Sequence, residues 1–108
     1  MNWEIIYLYE EDIEYGFDLL WQYHFGDDYP DAGIITKIDI SANGEYLSVS
    51  TGPNVYFFHK DSNTPLWTYN TQTDTIYSIS LSADGKYIVI GAGGGTDTKE
   101  IFVFEKSS

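Results

Sequence analysis

At 108 residues and 12.3 kDa the chain is long enough for one ordinary domain with a core of limited size. Seventeen Asp and Glu face only five Lys and no Arg, a formal net charge of −12 that repels phosphate backbones and anionic bilayers, so neither nucleic acid nor membrane is an expected partner. The absence of cysteine removes disulfides and thiolate chemistry, while 43% hydrophobic residues favour folding over disorder.

In chain order, Met1 to Gly16 carries several acidic residues and no basic one, unlike a secretory leader, and no apolar run approaches a membrane span. The default expectation is a cytoplasmic protein. Ile5-Ile6-Tyr7-Leu8-Tyr9 reads as a strand, Glu10 to Glu14 as a charged, solubilising turn that guards a strand edge, and Leu20-Trp21-Gln22-Tyr23 as the next strand. An acidic connection, Asp27-Asp28-Tyr29-Pro30-Asp31, leads to strands around Ile38–Ile40, Tyr46–Val49, Val55–Phe58 and Leu66–Tyr69. Strands at Ile79–Leu81, Tyr87–Ile90 and Ile101–Phe104 follow, with a glycine-rich hairpin loop at Gly91–Thr96. All are short, β-branched or aromatic runs bounded by Gly, Pro, Asn, Asp or Ser, and no segment reads as a helix.

These strands repeat. Ser41-Ala42-Asn43-Gly44 matches Ser82-Ala83-Asp84-Gly85, forty-one positions on, and Tyr46-Leu47-Ser48-Val49 matches Tyr87-Ile88-Val89-Ile90. Val55–Phe58 matches Ile101–Phe104 and also Ile6–Tyr9, while Leu66-Trp67-Thr68-Tyr69 matches Leu20-Trp21-Gln22-Tyr23. With strand positions lettered a to d, the order is c, d, then a, b, c, d, then a, b, c. A period near forty is the size of one four-stranded propeller blade. The middle strands lack the alternation of a sheet with one wet face, so both faces require cover, as blades flanked by blades have.

The Ser-Ala-Asp-Gly-Lys-Tyr-Ile turn resembles that of WD-repeat β-propellers, and Asp61-Ser62-Asn63-Thr64-Pro65-Leu66-Trp67 resembles quinoprotein-like (PQQ-like) propellers. The Trp-Asp dipeptide of WD repeats is missing. The resemblance implies an all-β fold of about two blades per chain in an incomplete ring. Residues 1–31 would be the c and d strands of a partial blade with a long acidic loop, 32–74 a full blade, and 75–108 a blade without its outer strand. It implies protein partners, supplied by further copies of the chain (a homo-oligomer) or by neighbouring blades of a larger propeller. The quinone cofactor of such enzymes sits at the centre of a complete ring, which this chain does not encode, so no cofactor is expected.

Two connections are longer than their counterparts: Trp21 to Ser41 spans twenty positions against fifteen from Trp67 to Ser82, and Gly91 to Ile101 spans ten against five from Ser50 to Val55. Both emerge on one face of a propeller, which makes Asp27, Asp28, Tyr29, Asp31, Asp97, Lys99 and Glu100 the candidate partner-binding face. The alternative is a small-ligand or calcium site in the same acidic loops. Asp27, Asp28 and Asp31 lack the spacing of a twelve-residue calcium loop, and a solvated acidic surface fits them better. Gly91–Thr96 precedes no helix and carries no Gly-Lys-Ser/Thr, so a phosphate loop is not expected.

The catalytic inventory is poor. His24 and His59 belong to no metal-ligand pattern, and Ser41 and Ser82 occupy turns with no positioned base. Trp21, Tyr23, Tyr46, Trp67, Tyr69 and Tyr87 recur at equivalent places, as packing between blades demands rather than sugar binding. Asp39, whose counterpart is Ser80, is the polar departure on the inner strand and a candidate lining for a central channel. The expected role is a non-enzymatic interaction or scaffold module with no catalytic, cofactor or metal residues; an enzyme fragment related to quinoproteins ranks last.

Overall fold

The structure, a computed structural model, describes residues 4–12, 16–25, 35–73, 75–94 and 98–107. These form β1 (Glu4–Asp12), β2 (Gly16–Phe25), β3 (Ile35–Ile40), β4 (Tyr46–Thr51), β5 (Asn54–His59), β6 (Trp67–Asn70), β7 (Thr75–Leu81), β8 (Tyr87–Gly94) and β9 (Thr98–Glu105). No helix occurs among them. Three antiparallel sheets result: a first of β1-β2, a middle of β3-β4-β5-β6 and a third of β7-β8-β9. The sheets do not close into a ring, as expected of incomplete propeller blades.

The repeated turn explains why β3-β4 and β7-β8 are hairpins. The Ser41 hydroxyl donates to Asn43 Oδ1 (2.7 Å) and accepts from the Tyr46 amide (3.1 Å), and Asn43 Oδ1 also accepts from the Glu45 amide (3.0 Å). Ser82, Asp84, Lys86 and Tyr87 make the same set at 2.9 to 3.0 Å. Such side-chain bonds satisfy turn amides that the ladder leaves over. Gly44 and Gly85 both take φ +75°, where a side chain is strained. Gly85 has a second reason, since a Cβ there would overlap the Tyr46 ring of the middle sheet. The bonds from the Lys86 amide and the Ser82 hydroxyl hold the Asp84 carboxyl below its ordinary pKa.

The central strands of the middle sheet, β4 and β5, are covered on both faces. Leu47, Val49 and Phe58 point to the first sheet and pack with Ile6, Phe25, Leu8, Trp21 and Tyr23. Val55 and Phe57 point the other way, to Ile76, Ile88, Ile90, Ala92, Phe102 and Phe104 of the third sheet. The ladder makes this alternation unavoidable: Leu47 lies opposite Phe58 and Ser50 opposite Val55, so successive β5 residues serve opposite neighbours. Each such aliphatic or aromatic side chain contributes about 1.5–3 kcal/mol when fully buried.

Two local expectations are corrected. Glu10 to Asp12, expected in a charged turn, continue β1 and pair with Asp18 to Gly16 of β2, because the ladder runs on past Tyr9; Ile13 and Glu14 lie outside the described residues. Gly91 to Gly94 are not a hairpin loop but the continuation of β8, paired on one side with β7 and on the other with β9. The reason is packing: Ala92 is buried in the core, and a Cβ at Gly91 would come within 2.9 Å of the Ser78 hydroxyl. Gly95 and Thr96 lie outside the described residues.

Two outcomes are expected. Phe58→Ala, at a site with no exposure, should cost about 3–5 kcal/mol in urea unfolding, whereas Ile101→Ala on an open face should stay within about 0.5 kcal/mol. Because the Asp84 pKa is depressed in the folded state, its contribution to stability is present above the ordinary carboxylate range and lost as pH falls through the folded value. Asp84→Asn, which copies Asn43, should flatten that part of a thermal midpoint versus pH curve.

Candidate functional site

The internal repeat allows each surface position to be compared with a counterpart inside the same molecule. Val55 and Phe57 are buried under the third sheet, but their counterparts Ile101 and Val103 are 78% and 66% exposed. Tyr87 and Val89, counterparts of Tyr46 and the buried Ser48, share that outward face. On the first sheet, Tyr7 and Tyr9 correspond to Tyr56 and Phe58, which pack under Tyr23, yet they stand exposed beside Leu19. The molecule therefore presents an apolar face at each end, each built of residues whose equivalents form core.

A third opening lies on the inner strand. Ile79 and Leu81 of β7 pack against the core, while their counterparts Ile38 and Ile40 of β3 remain 55% and 51% exposed. The cause is geometric. The third sheet's β7 meets β3 and β4 of the middle sheet, but the first sheet is described as β1 and β2 alone, whose residues pack on β4, β5 and Ile35 and leave Ile38 and Ile40 open.

The junctions between sheets are pinned by side-chain to main-chain bonds. At the first, the Trp21 indole N–H donates to the Lys60 carbonyl at 2.7 Å with its ring 5.3 Å from Phe58, and Asn63 Nδ2 reaches the Gln22 carbonyl at 3.4 Å. At the second, the Leu81 amide donates to Asp39 Oδ2 at 2.7 Å, the Asn43 amide to the Ala83 carbonyl at 2.9 Å, and Trp67 meets Phe104 edge-on at 4.8 Å. Asp39 thus fastens two sheets. Sequence reasoning singled it out as a break in the repeat and a candidate lining for a central channel and missed this bond; that break, and the matched Trp21/Trp67 pair, were the signals available. At the outer edge of the second junction a cavity opens between Tyr46, Leu66, Trp67, Ile88, Phe104 and Lys106.

Of the predicted partner-binding residues, Asp27, Asp28, Tyr29, Asp31 and Asp97 lie outside the described residues. Lys99 and Glu100 are neighbours on β9, both exposed, opposite Gly93 and Ala92. Five of the six recurrent aromatics, Trp21, Tyr23, Tyr46, Trp67 and Tyr69, pack at the junctions. Tyr87 instead faces outward beneath the Lys86 ammonium, because no described sheet lies beyond it.

His59 sits between Glu45 (3.4 Å from Nε2) and Asp61 (3.6 Å from Nδ1), with the Tyr46 ring edge-on to it. His59 Nδ1 also accepts from the Asp61 amide at 3.2 Å, so the ring is engaged with its own turn. Among the described residues no three His, Asp or Glu side chains could hold a metal, and no helix is long and apolar enough to cross a membrane. The Ser41 and Ser82 hydroxyls are engaged in their turns.

No protein-family model matches the chain. Over 70 residues it is 27% identical to target of rapamycin complex subunit LST8-1 of Arabidopsis thaliana, covering 63% of this chain and 23% of that protein. Over 70 residues it is also 26% identical to an uncharacterized WD repeat-containing protein of Synechocystis sp., covering 64% and 20%. The chain is similar to WD-repeat proteins. It spans less than a quarter of the length of these relatives, and the likeness supports a WD-repeat affiliation, in keeping with the all-β, helix-free sheets.

Asp39→Ala should cost about 1.5–3 kcal/mol, the range for a hydrogen bond to a charged group, and should speed hydrogen exchange at the Leu81 amide. Ser80→Ala, at the exposed counterpart, should do neither.

Proposed function

We propose that this chain is a non-enzymatic interaction or scaffold module of the β-propeller type, which self-assembles head to tail or joins further blades of a larger propeller. The observation that carries this reading is the exposure of Ile101, Val103, Tyr87 and Val89 at one end and Tyr7, Tyr9 and Leu19 at the other. The middle sheet supplies the measure of what these faces need, since its own equivalents are buried on both sides. A contact between two unlike ends is heterologous, giving a ring where the rotation closes and a filament where it does not. The match to a protein named as a complex subunit supports an assembly role.

Charge sets the sign of the salt dependence. Copies that each carry −12 repel, and salt screens that repulsion while leaving apolar burial intact. Sedimentation should therefore show a mass that is a multiple of 12.3 kDa and rises with salt and concentration. Val103→Asp should shift the distribution to monomer with the fold retained. A monodisperse monomer at every salt concentration, unaffected by Val103→Asp, would rule out self-assembly.

A further inference from the structure

The structure assigns Asn43-Gly44, in the turn between β3 and β4, as a covalent modification site: a spontaneous deamidation that the folded turn shuts off and local opening of the turn releases. Water is the only co-reactant. The Gly44 nitrogen gives up its proton and attacks Asn43 Cγ. A cyclic imide forms as the Cγ–Nδ2 bond breaks, and Nδ2 leaves as ammonia with that proton. Water then opens the imide at Cγ, giving Asp, or at the main-chain carbonyl carbon, giving isoaspartate, in which the chain runs through Cγ. Nothing is oxidised or reduced.

The sequence favours this pair over every other asparagine. Asn43 is exposed and precedes a glycine, which has no side chain to hinder the attack, whereas Asn2 precedes Trp3, and Asn54, Asn63 and Asn70 precede the β-branched Val55, Thr64 and Thr71. Asp84-Gly85 repeats the turn, but the Asp84 carboxyl is held below its ordinary pKa, and a carboxylate is a poor electrophile. The fold closes the route at both reacting atoms. The Gly44 amide donates to the Ser41 carbonyl at 2.9 Å, which engages the proton that must leave. Ring closure requires rotation about the Asn43 Cα–C bond, which carries that amide off Ser41. Asn43 Oδ1 accepts from the Ser41 hydroxyl at 2.7 Å and the Glu45 amide at 3.0 Å, so reorienting the side chain for attack disrupts both. The Asn43 amide is itself held, donating to the Ala83 carbonyl at 2.9 Å across the second junction.

The two products differ in what they do to that junction. Asp at 43 copies Asp84, in a turn the chain already folds. Isoaspartate instead lengthens the main chain within the turn that sets Ile40 opposite Leu47 and Asp39 opposite Ser48. In that register Asp39 Oδ2 reaches the Leu81 amide at 2.7 Å. Either product also adds a negative charge beside the Ala83 contact and its neighbour Asp84. A chain that has opened at this turn is thereby marked, and the isoaspartyl mark loosens the junction after refolding.

The test incubates the full chain at mildly alkaline pH in buffer and in urea, and follows Asn43 by peptide mapping with mass spectrometry, which separates Asp from isoaspartate by retention. In urea Asn43 should convert at the rate of a synthetic peptide of residues 39–48, and in buffer about tenfold more slowly or less, since the bonds at both reacting atoms must first open. Ser41→Ala, which removes a bond to Asn43 Oδ1, should speed conversion in buffer. Ser82→Ala, the equivalent loss in the other turn, should speed it less, with circular dichroism checking that both stay folded. If either variant unfolds, the comparison of buffer with urea in the unaltered chain decides. Isoaspartyl chains returned to buffer should exchange the Leu81 amide faster than Asn43→Asp does. Equal rates in buffer and urea, conversion at Asn54, Asn63 or Asn70 in place of Asn43, or equal acceleration by two folded serine variants overturns the gated site. Equal Leu81 exchange in isoaspartyl chains and Asn43→Asp overturns the effect on the junction.

Discussion

The central strands of the middle sheet, β4 and β5, have no wet face, and the rest of the structure follows from that constraint. They carry Leu47, Val49 and Phe58 on one side and Val55 and Phe57 on the other, so they cannot be stable as a single layer. Burying one face alone would leave aromatic and aliphatic area in water worth several kcal/mol, comparable to the whole stability of a small domain. The first and third sheets supply the missing layers. Each meets the middle sheet through one of its faces, and the same repeat pattern that built the middle sheet gives each a second apolar face with nothing described beyond it. A unit that is two-sided by design passes its unmet requirement outward.

Much of this was legible in the residues. The Ser-Ala-Asx-Gly turns announced two hairpins because serine, Asn or Asp, and glycine each have a separate task there, and the structure gives each that task. The runs at Tyr87–Ile90 and Val55–Phe58 announced two-sided strands through their lack of alternation. Gly91–Gly94 was misread because glycine in a run ordinarily marks a loop, whereas here small size lets β7 and β8 approach. That distinction depends on Ser78 and the core around Ala92, which are distant or ambiguous in sequence.

The candidate site was less legible, for a physical reason. Long acidic connections draw attention to loops, but the surfaces that stand out in the structure are sheet faces, and exposure is a property of neighbours rather than of a residue. Ile40 and Leu81 look alike in sequence and differ only in what lies across from them. The same holds for Tyr46 and Tyr87. No pattern within a strand could separate them; the difference appears once the described sheets are seen to stop short of Ile38 and Ile40 on one side and of Tyr87 on the other.

Positions where the repeats disagree therefore carry more functional content than those where they agree. Matched residues perform tasks every unit shares, such as closing the turn or filling the centre of a layer. Ser48 and Ser50 lie fully buried where β7 crosses close to β3 and β4. Their counterparts Val89 and Gly91 belong to the open face, where Val89 adds apolar area and Gly91 yields to Ser78. Asp39 against Ser80 is the same contrast in polar form: one reaches across a junction to a main-chain amide, the other has no described sheet to reach. A unit that differs from its own repeat at the residues meeting the next layer is specialised by position, so its two ends are not interchangeable, and what docks at one need not dock at the other.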